Sequence, residues 1–195
     1  MEEENKKKSG FVAIVGRSNV GKSTLLNSLV GTKIAIVTEK PQTTRHAIHG
    51  ILHDPRGQAV FVDTPGIFIK SKDALTKILN QRAKESLEGV DIIAYMVDPT
   101  KAMGGEEQIL EKALEKITTP KILVINKIDL PEPRYIEDYR ELGKKFDQTV
   151  EISAMKNKHI KSFVNAVFEL SPIGEPLYPE FQITNIDNKF WFSEI

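Results

Sequence analysis

Cysteine is missing from the 195-residue chain, which removes disulfides, thiolate metal sites and cysteine nucleophiles together. Net charge is missing too. Twenty-seven Lys and Arg balance 27 Asp and Glu, so composition announces neither a nucleic-acid nor a membrane-surface binder, and any such patch is local. No apolar run approaches the roughly 18 residues of a spanning helix, and the opening "MEEENKKKSG" lacks the apolar core of a signal peptide. These absences fit a cytoplasmic, reducing compartment. What remains, 40% hydrophobic and 28% charged residues, describes an ordinary globular domain with one good core.

Short β-branched runs alternate with longer amphipathic stretches. "FVAIV" (11–15), "AVFVD" (59–63), "DIIAYMVD" (91–98), "KILVIN" (121–126) and "TVEIS" (149–153) are nearly continuous apolar runs, the pattern of parallel strands covered on both faces. Helical patterns lie between them at about 22–30, 73–88, 105–117, 134–146 and 159–170. The alternation predicts a three-layer α/β/α sheet. "HAIHGILH" and "AVFVD" are separated only by "DPRGQ", which has room for a turn and not a helix, so a hairpin is expected there. The sum is six strands, mostly parallel, with one antiparallel edge strand. Residues 1–9 read as a polar tail, 10–171 as the domain and 172–182, with three prolines and a glycine in "SPIGEPLYPEF", as a linker. The aromatic-rich stretch 183–195 reads as the start of a second domain.

"GRSNVGKS", Gly16 to Ser23, has the spacing G-x-x-x-x-G-K-[ST] between a predicted strand and a predicted helix. Its glycines let backbone N–H groups turn inward on phosphate oxygens. Lys22 is positioned to reach β- and γ-phosphates, and the Ser23 hydroxyl to ligate Mg²⁺. The small-GTPase-like form of the P-loop NTPase fold is the expectation. Nucleotide contacts are expected along Gly16, Ser18, Asn19, Val20, Gly21, Lys22, Ser23 and Thr24.

"NKID", Asn126 to Asp129, ends a buried run where such sheets bind ligands. Asp129 can accept both the ring N–H and the exocyclic amine of guanine. Adenine lacks the amine and would leave a buried carboxylate unpaired, a difference worth about 10⁴-fold or more. Asn126 is expected to hold the base from its other edge and tie loops together, and the Lys127 stem to cover the purine face. "SAMK" follows another strand; Ser153, Ala154 and Met155 are expected at the base, with the Ala154 N–H meeting the guanine oxygen. In "DTPGIF", Asp63 is expected to bind Mg²⁺ through water and Gly66 to offer its N–H to the γ-phosphate. The polar stretch "TEKPQTTRH" suits a loop closed by the γ-phosphate, with Thr44, or alternatively Thr43, adding a hydroxyl to Mg²⁺. Arg45 is either a phosphate-reaching arginine or an exposed one. Ile67 stands where many GTP-hydrolysing switches carry the glutamine that orients water.

Together, "GRSNVGKSTLLN", "KPQTTRH", "DTPGIF", "NKIDL", "SAMK" and the connector "GEPLYPE" resemble the Era family of bacterial GTPases. The resemblance covers nearly the whole chain. It implies slow GTP hydrolysis, with Lys22, Asn19, Thr44 and Gly66 as catalytic groups, and a place in small ribosomal subunit assembly and 16S rRNA maturation. It also implies peripheral membrane association, no DNA partner, and a KH-type RNA-binding domain of which 183–195 would carry only the opening turns. Members of the family have an apolar residue where Ile67 stands. In related GTPases the residue matching Asn19 helps hold K⁺ between the phosphates; the alternative is a simple turn former. Ser18 departs from the family's usual Pro. Asn157 stands where glycine is common, and can adopt the same left-handed conformation. Three other readings remain: a related assembly or tRNA-modifying GTPase, a nucleotide-gated ribosome-docking module with incidental hydrolysis, and an ATP-using P-loop protein.

Overall fold

A computed structural model describes residues 6–30, 34–35, 48–62, 87–131 and 133–179. The apolar runs become β1 (Lys8–Val15), β4 (Gly57–Val62), β5 (Ile92–Val97), β6 (Lys121–Ile125) and β7 (Gln148–Glu151). These five are parallel to one another, while β3 (Ile48–Asp54) runs antiparallel to β4. The expected six-stranded, mostly parallel sheet is present. A two-residue strand, β2 (Ile34–Ala35), pairs antiparallel outside β3, so the expected edge strand lies one place in from the edge of the order β2-β3-β4-β1-β5-β6-β7.

Burial on both faces explains why the parallel strands read as unbroken apolar runs. Along β1, Val12 and Ile14 face one core and Ala13 and Val15 the other. The first core is closed by Leu25 and Leu29 of α1 (Lys22–Val30) and by Phe163 and Val167 of α4 (Ile160–Leu170). The second is closed by Leu110 and Leu114 of α2 (Gly105–Leu114) and by Tyr139 and Leu142 of α3 (Ile136–Gly143). Of the helix expected at 73–88, only the last two residues are described, and they form a turn. Among the described residues no helix is long and apolar enough to cross a membrane.

Two boundaries move. Lys8 and Ser9, assigned to the polar tail, belong to β1: Lys8 pairs with Gly57 and Ser9 with Gln58. The Lys8 ammonium donates to the carbonyls of Phe168 and Glu169 at the end of α4, so its charge caps a helix C-terminus. Backbone pairing needs no apolar side chain, which is why hydropathy missed it. The linker is also docked over its first residues. Ser9 N–H donates to the Pro172 carbonyl, Gly174 N–H to that of Lys7, and Gln58 exchanges two side-chain hydrogen bonds with the Tyr178 backbone. Residues 183–195 lie outside the described residues.

Candidate functional site

The loop between β1 and α1 is shaped by backbone conformations that few residues adopt. Gly16 and Gly21 have φ of 150° and 107°, and Asn19 sits in the left-handed region at 64°. A Cβ on Gly16 would lie 2.3 Å from the Met96 carbonyl oxygen, and one on Gly21 2.3 Å from Asn126 Nδ2. Lys22 Nζ folds back over the loop, donating to the carbonyls of Gly16 and Arg17 at 2.8 Å each. The first turn of α1 contains no acidic side chain, so no carboxylate there offsets the positive end of the helix dipole. Ser18 is exposed, and Val20 is buried beneath the loop.

Three strand ends converge on that loop. Asn126, 3% exposed at the end of β6, donates from Nδ2 to the Val20 carbonyl at 2.8 Å and accepts the Ala154 N–H at 2.9 Å. Its role in tying the loops together is therefore direct. The Ala154 N–H, expected to meet the guanine oxygen, is engaged by Asn126 instead, because the buried carboxamide needs an acceptor's partner as well as a donor's. Ser153 is fully buried and organises its loop through an antiparallel bridge to Lys158 and a hydrogen bond from Lys156 N–H to its hydroxyl. Asn157 takes the expected left-handed conformation, φ 54°. Met155 is 76% exposed and lines the cleft.

Lys127 is left-handed at φ 66°, and its ammonium donates to the Asn19 carbonyl at 2.9 Å and to Asp98 Oδ2 at 2.6 Å. Asp98 went unrecognised in the sequence. Burial would push its carboxyl pKa up, but hydrogen bonds from Lys127 and Thr100 and the Lys127 charge hold it below the ordinary value. "YMVDPT" carried the signal: a polar residue closing a buried strand, the same logic applied to Asp63 and Asn126. Arg17 was missed as well. It pairs at 2.8 Å with buried Glu107, whose other oxygen accepts the Gly104 N–H at the start of α2.

The loop and the strand ends enclose a cleft of about 520 Å³. Asn19, Gly21, Lys22, Ser23 and Thr24 line one part of it, and Asn126, Lys127, Asp129 and Met155 another. Leu130, not singled out in the sequence, completes the wall. Thr43, Thr44, Arg45, Asp63, Gly66 and Ile67 lie outside the described residues.

A glycine-bent loop at a helix N-terminus and the Asp129 carboxylate thus line one cleft. Residues 11–127 fit the family described as "50S ribosome-binding GTPase". The chain belongs to that family of GTPases. Its relatives within the family bear out the Era resemblance. GTPase Era of Carboxydothermus hydrogenoformans is 44% identical over 190 residues, 96% of this chain and 63% of that protein. A crystal structure of Era with MgGDPNP and nucleotides 1506–1542 of 16S ribosomal RNA superposes with a TM-score of 0.70 at 39% identity, over 93% of this chain and 63% of that one. An Aquifex aeolicus Era variant bound to GDP and AlF4⁻ follows at 0.68 and 38%, over 92% and 62%. The chain thus spans about 63% of the length of these GTPases.

Proposed function

We propose that this chain is the nucleotide-binding part of an Era-type switch that binds GTP and hydrolyses it slowly. The observation that carries the reading is Asn126, whose carboxamide joins the phosphate loop at Val20 to the base-side loop at Ala154, so the motifs for triphosphate and for guanine form one cleft. In the proposed complex, Asp129 accepts the two guanine donors and Lys22 leaves the loop carbonyls for the β- and γ-phosphates. The backbone N–H groups of Gly21 to Ser23 and the N-terminus of α1 surround the phosphate chain.

Mg²⁺ fits the donor set. Ser23 opens into the cleft at the helix start, and among the described residues no cluster of His, Cys, Asp or Glu forms a protein-only cage. That is the pattern of a hard cation shared between phosphate oxygens and a few hydroxyl or carboxylate ligands. Ser23 would hold it, with Thr44 and Asp63 from segments outside the described residues; when bound it supplies charge neutralisation on the transferring phosphate. K⁺ is proposed at Asn19, whose left-handed backbone sets it on the cleft wall.

The relative with the solved 16S rRNA complex supports a role at the small ribosomal subunit. The family description names the 50S particle, but the Era relatives match over far more of the chain, so the small subunit is the proposed partner. Contact with membranes is part of the same proposal.

Asp129→Asn tests the base reading. Xanthine presents an acceptor where guanine has its amine, so the variant is expected to move preference from GTP to xanthosine triphosphate. A variant that still strongly prefers GTP in competition titrations removes guanine recognition from Asp129.

A further inference from the structure

We infer that Asp98 is a positioning residue for base recognition, holding the Lys127 ammonium away from Asp129. The inference rests on the guanine reading above. Asp98 is 3% exposed at the end of β5, and no nucleotide motif uses it. Both its oxygens are committed. Oδ2 accepts from Lys127 Nζ at 2.6 Å; Oδ1 accepts from the Thr100 N–H at 3.0 Å and the Thr100 hydroxyl at 2.6 Å. Thr100 thus fixes the carboxylate, and the carboxylate fixes the ammonium, which also donates to the Asn19 carbonyl.

The need for such a hold follows from the neighbouring charges. Lys127 and Asp129 line the same cleft two residues apart. A lysine is a compact charge with three donors on a flexible stem, and without a fixed partner it would pair with the nearest open carboxylate. Asp129 must stay open, because the base supplies its two donors. Asp98 occupies the ammonium in advance, on the side of the cleft facing the phosphate loop. Its depressed pKa keeps it ionised, and the pair intact, across the neutral range. One carboxylate therefore lets a cation stand beside the base reader without silencing it.

The test measures GDP and IDP affinity in the full chain carrying Asp98→Asn, Lys127→Met or both. Inosine lacks the exocyclic amine, so IDP offers Asp129 one donor and GDP two. Asp98→Asn keeps the acceptor for Thr100 and removes the charge that holds Lys127. It is expected to weaken GDP about tenfold and IDP less, lowering the GDP-to-IDP ratio. Lys127→Met in the same background removes the competitor; the double variant is expected to match Lys127→Met alone in GDP affinity and to recover the ratio. If Asp98→Asn fails to fold, the double variant still decides, since it leaves neither charge buried alone. Wild-type GDP affinity in Asp98→Asn, equal losses for GDP and IDP, or a double variant a further tenfold weaker than Lys127→Met would each overturn the inference. If Asp129→Asn shifts preference to the xanthosine nucleotide while any of these occurs, base recognition by Asp129 stands and only the role of Asp98 falls.

Discussion

Ile67 has no hydrogen-bonding side-chain atom, so in a GTPase of this kind water must be ordered, and developing charge offset, by other groups. Asn19 is the residue best placed to contribute. Its carbonyl is pinned by Lys127, its backbone is held left-handed, and it lines the cleft beside Lys22. A side-chain oxygen there can help ligate a monovalent cation against the phosphates, offsetting transition-state charge. GTP turnover is therefore expected to be faster in K⁺ than in Na⁺ at equal ionic strength, because the smaller ion fits the same oxygens less well. Asn19→Ala is expected to erase the difference. Equal steady-state rates in the two salts for the unmodified protein would remove the cation from the account.

Pairing between β1 and β4 depends on one glycine. Gly57 follows the Pro55-Arg56 turn, where the Asp54 carboxylate accepts from both the N–H and the Nε of Arg56. Its φ is 146°, and an added Cβ would stand 1.8 Å from the Lys8 carbonyl oxygen. Backbone cannot move aside cheaply, and both the hairpin register and the first parallel pair of β1 meet at this point. Gly57→Ala is expected to cost about 2–3 kcal/mol, a fall in Tm of about 4–12 °C for a chain of this size. Thermal unfolding checks it. An unchanged Tm would show that the start of β1 is dispensable to the sheet.

At the scale of the molecule, the phosphate loop and the loops bearing Asp129 and Met155 lie at the carboxyl ends of β1, β6 and β7, the end where open α/β sheets bind ligands. The connector emerges elsewhere, tied down by Lys7, Ser9 and Gln58 near the start of β1 and β4. A net charge of zero offers no general attraction for RNA. The 195-residue chain is therefore expected to bind GTP but to hold 16S rRNA weakly and with a steep salt dependence, through scattered phosphate contacts. Tight, sequence-dependent binding of the rRNA 3′ segment, measured across salt concentrations, would show that the nucleotide-binding part itself reads RNA.

Runs such as "DIIAYMVD" and "KILVIN" determined parallel strands without a structure, because burial on both faces leaves an unbroken apolar signature. The glycine-bent loop was equally legible, since close backbone approach demands glycine at particular spacings. Tertiary structure alone decided which polar groups meet. That Lys127 reaches Asp98 across 29 positions, and that Asn126 takes the Ala154 N–H, depends on which strand ends the sheet order brings together. Lys8 joined β1 for the same reason: local sequence records the side chain's polarity, whereas its backbone pairs with whatever strand folding places alongside.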